Sequence, residues 1–305
     1  MRIANVSGRP ALITAAGALD VARASGGQFS PDPHALYERW DEFTDWARSA
    51  PATDARPYSS AELGPPSPRP AQVFAIGTNY SSHSAEVGLA VPDWPSVFTK
   101  YVTSFTGPTG EIELPSDAVD WEVELVVVIG RSARAVSAEQ GWDHVAGLTV
   151  GQDLSDREVQ LRGPLPQVSV GKSLPGFSPT GPVLVTPDDL PDPDALEISC
   201  SVDGTTVQWG NTRDLVFSVP VLIAELSAMV PLLPGDVIFT GTPDGVGLSH
   251  RPPRFLRPGQ ELVSRIEGIG EMRHTFRAAE HARRGSDRHV VERLQSMAQP
   301  NTAPA

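Results

Sequence analysis

A mainly β fold with some helix is what this 305-residue sequence predicts, and three observations carry the prediction. Short apolar runs alternate with Gly/Pro turns from Gln72 to about Phe276. The 27 glycines and 30 prolines make up about a fifth of the chain against roughly an eighth in average usage, which favours a turn-rich architecture. The run Leu125-Val126-Val127-Val128-Ile129, closed by Gly130, has the aliphatic continuity of a strand buried on both faces.

In chain order, residues 1–70 read as a small N-terminal α+β domain with a linker. Alternating runs at Arg2–Val6 and Ala11–Thr14, joined by Ser7-Gly8-Arg9-Pro10, predict a hairpin. Asp32-Pro33 supplies an N-cap and a first-turn proline to a helix with Leu36, Trp40, Phe43 and Ala47 on one stripe. Gly64-Pro65-Pro66-Ser67-Pro68-Arg69-Pro70 reads as the linker. Residues 71–276 read as the catalytic domain, with strands at Val73–Ile76, Leu125–Ile129, Val183–Val185, Leu196–Val202, Val237–Phe239 and Leu262–Ile266. Helices are expected over Val219–Met229 and Ala138–Val145. Residues 277–305 form a charged tail in which Val290–Leu294 suggests a helix.

The net charge of −13 argues against nucleic acid or an anionic membrane as partner, so any anionic substrate needs local cations. No apolar run approaches the roughly 18 residues of a membrane span. The N-terminus opens no secretory signal and the lone Cys200 suits a reducing compartment, so a cytoplasmic location is expected. The absence of a glycine-rich phosphate loop disfavours a nucleotide enzyme.

Chemistry concentrates at Asp120-Trp121-Glu122-Val123-Glu124. Strand side chains alternate, so Glu122 and Glu124 point the same way at the mouth of the buried run. Alone, that pattern also fits a solvent-facing strand start. Asp153, ending the short apolar segment Leu148–Asp153, adds a third carboxylate in a comparable place. Three carboxylates with no Cys or His at zinc spacing suit Mg²⁺ or Mn²⁺; Ca²⁺ suits catalysis less and fits better as a crystallisation substitute. His83 and Glu86, at i and i+3, share a face if the chain is helical there, and a carboxylate beside an imidazole builds a base that works near neutral pH. Only two of the 24 basic residues are lysines, Lys100 and Lys172, in settings that look like strand ends. A compact ammonium is what arginine cannot supply.

Together these residues resemble the fumarylacetoacetate hydrolase family, in its acylpyruvase and 2-hydroxyhepta-2,4-diene-1,7-dioate isomerase-like branch. The motifs are Gly77-Thr78-Asn79-Tyr80 with His83 and Glu86, Asp120-x-Glu122-x-Glu124, Asp153-Leu-Ser-Asp-Arg157 with Gln160, Gly171-Lys172-Ser173 with Gly181-Pro182, and Pro234-Gly235-Asp236 through Thr240-Gly241-Thr242-Pro243. The resemblance covers roughly residues 72–276. It implies a rolled, mixed β-sheet and a homodimer, with Mg²⁺ or Mn²⁺ held by Glu122, Glu124 and Asp153. It also implies that Lys172 stabilises enolate charge, that Arg157, Gln160 and Thr242 contact substrate, and that His83 with Glu86 activates water. Lys100 lies near the first substrate loop. Leu174-Pro175-Gly176 departs from the family's usual run after Lys-Ser, which bears on substrate identity.

The expected function is metal-dependent hydrolysis of a C–C bond in a small anionic 1,3-dicarbonyl or acylpyruvate-like 2-oxo acid, through a metal-bound enolate. The same chemistry serves an oxaloacetate-type decarboxylase or an isomerase of an unsaturated 2-oxo dicarboxylic acid. A catalytically silent binding or scaffold member would be expected to lack ligands, and none of the three acids is missing.

Overall fold

The computed structural model describes residues 1–50, 54–162 and 165–283. Strand Val123–Ile129 is its axis: all seven residues are buried, and it pairs antiparallel with Val145–Gln152 on one side and Val237–Phe239 on the other. Beyond Val237–Phe239 the parallel strand Val73–Gly77 and then the edge strand Ser96–Thr99 complete that flank of an eleven-stranded mixed sheet.

Both faces of the axial strand are covered, by different parts of the chain. Leu125, Val127 and Ile129 enter a core shared with Ile198, Cys200 and Leu262 of a second, five-stranded sheet. Val126 and Val128, one residue out of phase, pack with Phe29, Leu36, Trp40 and Phe43 from the chain's beginning. This two-sided cover is the physical reason that the strand carries no polar alternation.

The first seventy residues do not form a sheet of their own. The hairpin Arg2–Val6 with Arg9–Thr14 forms as expected, turning through Ser7 and Gly8 at positive φ (53° and 78°) as a two-residue primed turn requires. Its first strand then pairs with Ser178–Val185, bringing Arg2 opposite Val185 and extending the large sheet. Asp32 accepts the His34 N–H at 3.0 Å, and a 3₁₀ turn, His34–Arg39, leads into the helix Trp40–Ala47. The proline-rich segment is packed rather than free: Tyr37 donates to the Pro66 carbonyl, and buried Ser67 to that of Gly235.

The remaining differences are local. Ala138–His144 is 3₁₀ rather than α, whereas Val219–Met229 is an α-helix as expected. The tail begins later than position 277, because strand Gly270–Arg283 continues past it along Thr109–Ser116. The helix expected at Val290–Leu294 lies outside the described residues. Among the described residues no helix is long and apolar enough to cross a membrane.

Candidate metal centre and its cavity

Register brings the three acids together. Val123 pairs with Gln152, so Glu122 lies beside Asp153, whose N–H donates to the Glu122 carbonyl at 2.9 Å. Glu124 follows on the same strand face, and one oxygen from each of the three carboxylates lies within 4.8 Å of the others. All three side chains are buried.

Cations surround this cluster unevenly. The Lys172 ammonium donates to Glu122 at 2.6 Å and also to Asp153, while Arg157 Nη2 reaches Glu122 at 2.7 Å. Burial alone would raise the Glu122 carboxyl, but Lys172 and Arg157 hold it down at about 2. Glu124 makes no ion pair among the described residues. Burial, then the charge of Asp153 and more weakly that of Glu122, push its carboxyl well above the usual range, although the Lys172 charge opposes them and the Gly241 N–H donates to it at 2.7 Å. The donor set fits a hard dication: three converging buried carboxylates, no soft ligand, and one acid without a counter-charge. Mg²⁺ and Mn²⁺ are the ions this chemistry matches.

The two lysines have different jobs. Lys172 is the C-cap of the short helix Val168–Gly171, not a strand end, and its side chain faces the cavity. Its ammonium lies 5.1 Å from the centre of the Phe98 ring. Burial would lower it, but Asp153 and Glu122 raise it above its ordinary value. Lys100, expected to contact substrate, does not line the cavity. It does follow strand Ser96–Thr99, but it is buried behind Asp153, and its three donors go to Asp153 and to the carbonyls of Lys172 and Phe177. An ammonium has no further N–H to offer. Here burial outweighs Asp153 and lowers its pKa.

Across a cavity of about 480 Å³ sits the second expected constellation. Helix Ser81–Glu86 forms, and His83 Nδ1 lies 3.2 Å from Glu86 Oε2. Glu86 Oε1 accepts the Gly245 N–H at 2.9 Å, which fixes the carboxylate. A proton on Nδ1 satisfies that contact and leaves Nε2 as the basic nitrogen. Arg157, Gln160 and Thr242 also line the cavity. Gln160 Oε1 accepts from Arg157 Nη1 at 3.0 Å. The Thr242 hydroxyl donates to the Val123 carbonyl and accepts from Gln208, both at 2.8 Å, so its side chain is already engaged.

Three supporting residues were not assigned roles from sequence. Asp120, fully buried, accepts from Arg157 Nε and Nη2 (2.9 and 2.7 Å) and from the backbone N–H groups of Gly247 and Leu248. It thus fixes Arg157 and one rim of the cavity together. Its signal was its place at i−2 from Glu122 in the acidic alternation. Gln152 and Gln208 accept the Glu122 and Val123 N–H groups, each at 3.0 Å, where the axial strand has outrun its ladder. Gln152 carries a weak sequence signal, a polar residue closing an apolar run just before Asp153, whereas Gln208 carries none.

The family model for the C-terminal region of fumarylacetoacetate (FAA) hydrolase matches residues 72–277. Human mitochondrial oxaloacetate tautomerase FAHD2A is 45% identical over 216 residues, covering 70% of this chain and 69% of that protein. Among solved structures, an HpcE-type protein from Mycobacterium smegmatis is 53% identical with a TM-score of 0.88, covering 92% of this chain and all of that one. Maleylpyruvate hydrolase from Sphingobium sp. SYK-6, solved with manganese(II) and pyruvate, is 27% identical with a TM-score of 0.73 over 92% of this chain and all of that one. The mixed β architecture expected from the sequence is the one these relatives have. With two thirds of its length under the family model, this chain belongs to the fumarylacetoacetate hydrolase family.

Proposed function

We propose that this protein is a divalent-metal-dependent hydrolase that cleaves a C–C bond in a 1,3-dicarbonyl or acylpyruvate-like 2-oxo acid. The observation that carries the reading is one cavity lined both by Glu122 of the buried carboxylate triad and by His83, whose Nδ1 meets Glu86. A dication bound by Glu122, Glu124 and Asp153 would supply Lewis-acid polarisation of the substrate's oxygens.

The chain's own groups do the rest. His83 Nε2 takes a proton from water as it attacks the distal carbonyl, and Glu86 stabilises the imidazolium that results. The departing carbanion is an enolate, and Lys172 holds positive charge against its oxygen. Of the five N–H groups of Arg157, four are engaged by Asp120, Glu122 and Gln160, and the remaining one is free to meet the substrate carboxylate. Gln160 and Thr242 border the same space.

A second reading is tautomerisation, isomerisation or decarboxylation of a 2-oxo dicarboxylic acid, and the similarity to human oxaloacetate tautomerase supports the first of these. Both readings use the same enolate. We also propose that the working unit is a cytoplasmic homodimer, supported by the family resemblance and by exposed Trp94 and Leu165 as apolar contact area.

A panel of acylpyruvates, oxaloacetate and 2-oxo-dienoates, assayed with and without Mg²⁺, separates the readings. His83→Ala should lose acylpyruvate hydrolysis by roughly 10²- to 10⁴-fold while still binding metal. Hydrolysis at the parent rate would remove His83 as the base. A parent that converts oxaloacetate but hydrolyses no acylpyruvate would replace the first reading with the second.

A further inference from the structure

The cavity has a charged part and an apolar part. Glu122, Lys172 and Arg157 line the charged part, and with Asp120, Glu124, Asp153 and Lys100 behind them they make four carboxylates against three cations, all buried. With all four acids ionised, as metal ligation requires of the triad, that leaves one negative charge. A dication reverses it to one positive, which a single anionic charge on a 2-oxo acid neutralises. A second carboxylate would leave the buried cluster with an uncompensated charge.

The apolar part offers that second carboxylate no partner. It is built from Val87, Leu89, Phe98, Val168, Val246 and Leu248, supplied by separate segments of the chain, with Phe98 lying beside Lys172. Among the described residues lining the cavity, only Arg157, Lys172 and His83 can carry positive charge, and each is already bound to an acid. Leu89 and Val168 remain 58% and 37% exposed, so the wall presents apolar surface that the chain does not cover with its own side chains. An unpaired carboxylate against such a surface is unfavourable, whereas each methylene buried there is favoured.

Resting on the 2-oxo acid reading above, we infer that the substrate is a monocarboxylate: its 2-oxo acid end faces the acid triad and its other end is an alkyl or aryl group lying on the Leu89–Val168–Leu248 wall. The dicarboxylates acted on by several family members are, on this inference, poorer ligands here.

Binding of unreactive 2-oxo acids to the Mn²⁺-loaded protein, measured by calorimetry, tests this without turnover. Pyruvate tests the 2-oxo acid site itself, 2-oxooctanoate adds an apolar tail and 2-oxoglutarate adds a second carboxylate. We expect about fourfold tighter binding for each methylene buried, so at least about 50-fold for 2-oxooctanoate over pyruvate, with 2-oxoglutarate no tighter than pyruvate. Val168→Arg should narrow the gap between the octanoate and the glutarate at least about tenfold. Pyruvate binding with 2-oxoglutarate preferred over 2-oxooctanoate, or with no gain from the tail, overturns the inference alone. An unchanged gap in Val168→Arg overturns the wall assignment. If not even pyruvate binds, the underlying 2-oxo acid reading falls with it.

Discussion

Glu122 and Glu124 share one face of the axial strand with Val126 and Val128, and all four are buried, yet the two ends of that face do opposite things. Val126 and Val128 lie under the aromatic helix Trp40–Ala47 and its neighbours. Glu122 lines the cavity, and Glu124 converges with it and Asp153 just behind that surface. Continuous burial of one strand therefore serves stability at one end and chemistry at the other, and what covers each end decides which.

That division can be broken from either side. Phe43 is fully buried and packs on Phe29 at 5.7 Å between ring centres, so Phe43→Ala should lose about 3–5 kcal/mol in urea unfolding. Its Mn²⁺ affinity should remain that of the parent; a matching fall in affinity would show that the two ends are not separable.

The converse change is Glu124→Gln. Glu124 is one of the three converging acids and makes no ion pair among the described residues, so its loss should weaken Mn²⁺ binding on the order of 100-fold, read by calorimetry. The same variant should melt no lower than the parent when both are metal-free, because burial and the neighbouring acids already disfavour the charged carboxylate there. A lower metal-free melting temperature would mean that Glu124 is satisfied without metal.

A smaller effect sharpens the contrast at a buried ionisable group far from the cluster. His274 in strand Gly270–Arg283 lies 3.0 Å from the Gly107 carbonyl through Nε2, while Nδ1 has no partner among the described residues. Burial lowers its pKa from 6.5 to about 4, against the smaller upward pull of that hydrogen bond. The unfolded chain therefore binds the proton first. The stability His274 contributes is complete above about pH 6.5 and is lost as pH falls toward 4, on the order of 3 kcal/mol. His274→Gln should flatten the stability curve in that window, as followed by denaturant midpoints between pH 4 and 7; an unchanged slope would assign the acid sensitivity to another group.

The legible part of this molecule was the part written locally. The alternation Asp120-x-Glu122-x-Glu124, the i, i+3 pair His83 and Glu86, and the aliphatic run after Glu124 each follow from backbone periodicity. What depended on distant pairing was not legible. Arg2 opposite Val185 joins the N-terminal hairpin to the large sheet, and nothing near Arg2 announces that partner. Gln208 approaches the axial strand from the second sheet. Lys100 illustrates a finer limit: its sequence position was informative, but only the carbonyls of Lys172 and Phe177 reveal that its donors are spent behind Asp153.

The account turns on whether the acid triad and the dyad cooperate in one metal-dependent cleavage. The most direct measurement is pyruvate release from an acylpyruvate by exhaustively chelated protein, before and after Mg²⁺ or Mn²⁺ is restored. The account predicts no release from the stripped protein and full recovery with either ion. Undiminished release after chelation would contradict it.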